Sequence, residues 1–259
     1  MLILLPPSEG KAAPRRGKPL DLGALSSPGL TAARARVLDA LVALCATDPE
    51  LAARTLDVPK SQVELVDLNA RAASSPTARA DAVYTGVLYD ALGLATLTPA
   101  AKRRATSRVA VTSSLFGLLR PGDRIPAYRL SGDAALPGLG PVAGVWRDAL
   151  GPAVTGALGS GLLVDLRSGM YAAFWRPPAD LARRVATVRV LHEVDGRRQV
   201  VSHFNKATKG RIVRALLEDG RDPRTPAALA TVLTDLGWTV EVGAPTAKGT
   251  QLDVVITEV

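Results

Sequence analysis

The chain opens on Met-Leu-Ile-Leu-Leu, an apolar run stopped by Pro6-Pro7. A run without alternation that ends in prolines predicts a strand buried on both faces, because a half-exposed strand would alternate. Helical spacing follows. Val37, Leu38, Leu41 and Leu44 recur three and four apart and predict a helix over 31–46. Ser61-Gln62-Val63-Glu64 has the form of a capping box, opening a helix that holds Val63, Leu65, Val66 and Leu68. A further helix is predicted over 77–92, interrupted near Thr85-Gly86, and a short basic segment over 99–106 carries Lys102, Arg103 and Arg104.

The second half holds most of the strand signal. GLLVDL at 161–166 is a strand candidate. Segments 187–194 and 198–204 flank Asp195-Gly196, a hairpin-turn dipeptide. A helix is predicted over 206–218, with Ile212, Val213, Leu216 and Leu217 as its apolar face. Thr225-Pro226 supplies the N-cap and first-turn proline of the next helix, which Gly237 ends. Segments 238–242 and 252–257 read as closing strands. No repeat or heptad array appears. The expectation is an α/β or mixed α+β fold in a single domain over residues 1–259.

Composition narrows the function classes. Hydrophobic residues form 47% of the chain, so a sizeable core is available, and aromatics only 4%, so Ala, Leu and Val must build it. Lys plus Arg exceed Asp plus Glu by 32 to 24, a net charge of +8. That balance favours a polyanion or an anionic substrate; the plain alternative is an arginine-rich coding background. Cys45 is the one cysteine and lies in an apolar run, which predicts a buried structural thiol. Two histidines, His192 and His203, without ligand spacing argue against a metal centre, and no cofactor motif is present. No apolar run approaches the roughly 18 residues of a membrane span, and no signal peptide is visible, so the expected location is the cytoplasm, with no membrane partner.

Several segments carry candidate chemistry. In SSLFGLLRPGDRIPAYRL (113–130), Arg120, Arg124 and Arg129 follow an apolar anchor and predict a rigid loop presenting guanidiniums outward to phosphate or carboxylate. LLPPSEGK (4–11) resembles a strand feeding a phosphate loop with Lys11 as its cation, but Leu5 and Ala12 break the phosphate-loop pattern. Lys206, Lys209, Arg211 and Arg214 lie on the predicted helix at 206–218, where cations at an amino terminus oppose the helix dipole unless an anion binds. LPGLG (136–140), with Gly138 and Gly140, reads either as the hairpin of a helix-hairpin-helix or as a plain turn. Tyr84, Asp165 and Arg167 sit at predicted element ends and form either a substrate site or structural contacts. No serine or histidine lies in a nucleophile-elbow context.

Taken in order, LLPPSEGK, VYTGVLYDAL (83–92), SSLFGLLRPGDRIPAYRL, VWRDAL (145–150), LVDLRSGMYAAFW (163–175) and VVSHFNKATKGRIVRALLE (200–218) resemble the peroxide stress protein YaaA family along nearly the whole chain. The resemblance implies a cytosolic bacterial protein tied to hydrogen peroxide resistance and control of intracellular iron. It also implies an α/β fold with a basic cleft, a helix-hairpin-helix element and DNA as partner; it transfers no catalytic residue. Ser113-Ser114 stands where other members carry Ser-Gly. The leading expectation is a DNA-binding stress protein that reads backbone or shape. Its rival is an enzyme acting on a nucleotide or phosphorylated small molecule in the same basic cleft.

Overall fold

The computed structural model describes residues 1–194 and 196–257. Strand β1 (Leu2–Leu5) is completely buried, as its unbroken apolar run requires. A helical half follows: α1 (Thr31–Thr47), α2 (Pro49–Thr55), α3 (Glu64–Ala70), the short β2 (Ala78–Arg79), α4 (Ala80–Val83), α5 (Val87–Leu92) and α6 (Pro99–Arg108). Next come β3 (Val109–Ser113), β4 (Gly117–Leu119), β5 (Arg124–Ile125), β6 (Ala135–Leu136), β7 (Gly140–Pro141) and the long α7 (Val142–Leu158). The chain closes through β8 (Leu163–Asp165), α8 (Gly169–Ala172), β9 (Val185–Val194), β10 (Arg197–Gln199), α9 (Ser202–Asp219), α10 (Pro226–Asp235), β11 (Thr239–Val242) and β12 (Thr250–Ile256).

The main sheet runs β11-β12-β9-β8-β1-β3-β4, with β10 paired to β9. Its five inner strands, β12, β9, β8, β1 and β3, are parallel, while the edge strands β11 and β4 are antiparallel to their neighbours. The mixed α/β architecture expected from the sequence is therefore present. From β1 the chain crosses to β3 on one side; from β8 it crosses to β9 on the other. Loops leaving β1 and β8 diverge, and such a switch point opens a crevice at the carboxyl ends of the strands.

Arginine fastens the elements together. Arg34, on α1, is fully buried and donates to the carbonyls of Phe116 (2.9 Å), Leu118 (2.8 Å) and Ser26 (2.7 Å). Arg104 donates to Leu217 and Glu218 at the end of α9, Arg184 to Gly159 and Gly161 beyond α7, and Arg214 to Leu92 and Gly93 at the end of α5. Helix carboxyl ends leave carbonyls without intrahelical donors, and a cation there also favours the dipole. Close packing does the rest at Gly210 on α9: a Cβ there would overlap the Leu88 carbonyl oxygen, so only glycine lets α5 and α9 meet.

Three local expectations change. Val63 is already helical (φ −60°, ψ −23°) after a 3-10 turn at Lys60–Gln62, so no extended N-cap exists for the predicted capping box and α3 begins at Glu64. The strand predicted to reach Phe204 stops at Gln199, and α9 begins at Ser202, where Phe204 packs its ring 5.1 Å from that of His192. LPGLG is a β-hairpin: Leu136 pairs with Gly140, and Gly138 and Gly140 take φ of +72° and +81° to reverse the chain. No helix precedes that hairpin between β3 and α7, so it is not the turn of a helix-hairpin-helix. The other predicted hairpin keeps its pairing: Glu193 and Arg198 face each other antiparallel, although Asp195 of its turn lies outside the described residues.

Replacing Arg34 with Lys keeps the charge but removes the planar fork, leaving buried carbonyls without donors. We expect a loss of about 2–4 kcal/mol in urea unfolding; unchanged stability would show that the fork is dispensable.

Candidate functional site

The site is assembled at the carboxyl ends of β1, β3 and β8. Loop Pro6–Lys11 leaves β1 and folds back so that the Lys11 ammonium donates to the Ser8 carbonyl at 2.7 Å. Lys11 then bridges to Tyr84, and Ala12 donates to Val83. This ladder places the ammonium 4.2 Å from the centre of the Tyr128 ring and 5.7 Å from that of Tyr84. Cation–π attraction holds a desolvated ammonium there. Burial lowers the Lys11 pKa to about 7; Glu9 opposes that shift and Arg129 adds to it.

Around the amine runs a chain of hydroxyls. Tyr84 and Tyr128 share a hydrogen bond of 2.9 Å, Tyr128 and Ser113 one of 2.8 Å, and the Phe116 N–H donates to Ser113 Oγ. Tyr89 stacks on Tyr84 with ring centres 5.3 Å apart and donates to the Pro6 carbonyl. Tyr171 completes the set. Burial raises the pKa of all four phenols, so they stay neutral donors at physiological pH. These are the chain's only four tyrosines, and they converge on one place.

Beside this group opens a cavity of about 370 Å³ at the switch point between β1 and β8. Ser8, Glu9 and Gly10 form one wall, Thr85 and Tyr89 a second, and Tyr171 and Lys206 a third. That volume suits one small ligand.

The residues singled out in the sequence are divided by the fold. Lys11 and Tyr84 join the tyrosine cluster, and Lys206 lines the cavity beside it. Lys206 lies in the second turn of α9 rather than at its start, because the helix begins at Ser202, so the argument from an unfavourable dipole does not apply to it. Lys209 is turned inward, donates to the Leu166 carbonyl at 3.0 Å and has its pKa lowered by burial. Arg211 is exposed. Asp165 and Arg167 bond each other through two side-chain contacts of 2.9 and 2.7 Å, and Arg167 also donates to the Tyr171 and Trp175 carbonyls. They pin the wall that carries Tyr171.

The arginine loop departs from its expected role. Leu115, Phe116, Leu118 and Leu119 anchor it in the core as predicted, and Ser114 donates to the Leu130 carbonyl at 2.6 Å. Its guanidiniums, however, do not all face outward. Arg120 donates to the Ser107 and Val109 carbonyls at the amino end of β3, the opposite sheet edge from Lys11, and lines a separate cavity. Arg129 pairs with Glu9. Arg124 is exposed and donates to the Thr77 carbonyl at 2.7 Å. Gly138 and Gly140 lie in the β6–β7 hairpin, outside the walls of the Lys206 cavity.

A ledge that the sequence signalled only as a basic loop emerges instead. Residues 11–18 run antiparallel to 77–84, tied by Ala12 to Val83 and by Thr77 to the Lys18 carbonyl. Arg15, Arg16 and Lys18 are exposed on this ledge next to Arg124, and none forms an ion pair among the described residues. Among those residues, no group of three or more His, Cys, Asp or Glu is placed to hold a metal ion, and no helix is long and apolar enough to cross a membrane.

The family model for peroxide stress protein YaaA matches residues 1–242. The chain belongs to that family. Among curated relatives of this family member, a UPF0246 protein of Streptomyces coelicolor is 53% identical over 262 residues, covering 100% of both chains. A UPF0246 protein of Corynebacterium efficiens is 41% identical over 244 residues, 93% of this chain and 95% of its own. Membership supports a stress-related role.

Because Lys11 binds its proton less tightly when folded, the unfolded chain holds more protons between about pH 7 and 10.5. Stability contributed at this position therefore rises with pH across that window. Between pH 7 and 9 the gain should be about 2 kcal/mol relative to Lys11→Met. Parallel urea curves at both pH values check it; the same pH dependence in both proteins would remove Lys11 from the account.

Proposed function

We propose that this peroxide stress family member acts by binding DNA through its backbone and shape. The carrying observation is the ledge: Arg15, Arg16, Lys18 and Arg124 project from paired backbone with no carboxylate partner among the described residues. Most other arginines are spent on the protein's own carbonyls and carboxylates, so net charge alone is a poor guide here. The ledge leads back through Lys11 to the cavity rim, where Lys206 is exposed. A row of cations along such a track suits successive phosphates, whose neutralisation releases counterions. In this reading, limiting intracellular iron would be a consequence downstream of DNA binding.

The cavity supports a second reading, a nucleotide or phosphorylated small molecule held beside Lys206. Calorimetric titration with mononucleotides separates the two: micromolar binding that duplex DNA does not displace favours the small ligand.

The DNA reading predicts a steep fall of affinity with salt. Changing Arg15, Arg16 and Lys18 to Ala should reduce the slope of log K against log salt by about 2 to 3, since each neutralised phosphate accounts for about 0.9. Arg120→Ala, at the opposite sheet edge, should leave it unchanged. Fluorescence anisotropy of a labelled duplex across a sodium chloride series measures both. A triple variant with the original slope overturns the ledge as the contact surface.

A further inference from the structure

We propose that Lys11 is a nucleophilic amine that forms an imine with the aldehyde of a phosphorylated sugar lodged in the adjoining cavity. Three features carry this. The first is choice of residue: the chain has seven lysines against twenty-five arginines, yet Lys11, Lys206 and Lys209 all gather at this sheet end. Arginine fills the structural roles elsewhere, and lysine is the cation that can lose its proton and attack carbon.

The second is placement. The Lys11 ammonium has one hydrogen-bond acceptor, the Ser8 carbonyl, and otherwise faces the Tyr128 and Tyr84 rings. Glu9, the nearest acid in sequence, pairs with Arg129; its charge raises the Lys11 pKa by less than burial lowers it. Desolvation without a paired carboxylate favours the uncharged, reactive form.

The third is adjacency. Ser8 offers its carbonyl to Lys11 and also lines the cavity; Glu9 and Gly10 line it as well. On the far wall stand Tyr171, whose raised pKa reflects Tyr128 and Glu9 among its neighbours, and the exposed Lys206. Lys11 meets the cavity through Ser8 rather than lining it, so an anion at Lys206 and a carbon that reaches Lys11 past the Ser8 wall would mark the two ends of a small phosphorylated carbonyl compound.

The step balances without a redox partner. The Nζ lone pair attacks the aldehyde carbon and the carbonyl π pair moves onto oxygen. One proton passes from nitrogen to that oxygen, giving a carbinolamine. The hydroxyl then leaves with the remaining amine proton as water, and a C=N bond stands in place of C=O. The ligand chemistry has two sources, an abasic deoxyribose within a DNA strand or a free sugar phosphate, and the experiment has an arm for each.

The inference rests on the cavity admitting a ligand, and it is independent of whether the ledge binds intact duplex. The full chain is incubated with borohydride and either a duplex carrying one abasic deoxyribose or free 2-deoxyribose 5-phosphate, and the adduct is mapped by peptide mass. In either arm a reduced adduct is expected on Lys11, at least tenfold over Lys60 and Lys248. Its source is the DNA strand if only the first arm yields it, and the free phosphate if the second does. The rate should rise about tenfold from pH 6 to 8 and then level, whereas an ordinary lysine continues to rise about a hundredfold per two pH units. The charged and titratable groups facing Lys11 in that range are Glu9, Arg129, Tyr84 and Tyr128. Lys11→Met, which fills similar space without an amine, should stay folded at pH 8 and lose the adduct. No adduct in either arm, or one spread evenly over the surface lysines, overturns the proposal. Binding of undamaged duplex, measured on the same preparations, reports separately on the DNA reading.

Discussion

Arginine bonded to backbone carbonyl is the interaction on which this molecule depends. Loops and helix ends leave carbonyls that lack partners, and a buried unpaired carbonyl costs about 1–3 kcal/mol. Arg34 satisfies carbonyls of two segments from inside the core, while Arg104, Arg184 and Arg214 close the carboxyl ends of three helices. The guanidinium suits this task because its donors form a rigid fork and it is weakly hydrated. Much of the positive charge in the composition is therefore directed at the protein itself. Other exposed cations are scattered over the surface, whereas Arg15, Arg16 and Lys18 follow one another closely along the ledge.

The second organising constraint is topological. β1 is flanked by parallel strands, so its exit loop cannot turn into a hairpin and must travel over the carboxyl edge of the sheet. Divergence of the chain at β1 and β8 leaves room there, and the scarce aromatic residues fill its walls. A chain with 4% aromatic residues that sends every tyrosine to one sheet end has concentrated its adaptable hydroxyl donors there. Asp165 and Arg167, which the sequence leaves open between a substrate site and a structural pair, bond each other and brace one wall.

Elements with strong local signatures were legible in the sequence: β1 from its unbroken apolar run, α1 from its spacing, and α10 from Thr225-Pro226, where Thr225 caps Ala228. The site was half legible. Lys11, Tyr84 and Lys206 could be named, since each lies at a predicted element end or on a basic helix. Tyr128, Ser113 and Tyr171 could not be joined to them, because strand order brings them together and strand order is a long-range property. The arginine loop differs from its expected outward display for a related reason. Nothing local to Arg120 shows that β4 turns it back towards the Ser107 and Val109 carbonyls. The capping box at Ser61 and the glycine hairpin at Gly138 matched short patterns whose required neighbours, an extended N-cap and a preceding helix, the fold does not provide.

Gly210 sits where α9 meets α5, with bare backbone against the Leu88 carbonyl and the Leu92 amide. α5 carries Tyr89 and α9 carries Lys206, two walls of the cavity. Helices packed this closely set the spacing between those walls. The Pro6–Gly10 wall also supplies the carbonyl that holds Lys11. A ligand that displaces this wall would loosen the grip on the amine as it enters, so that admission and activation would be a single event.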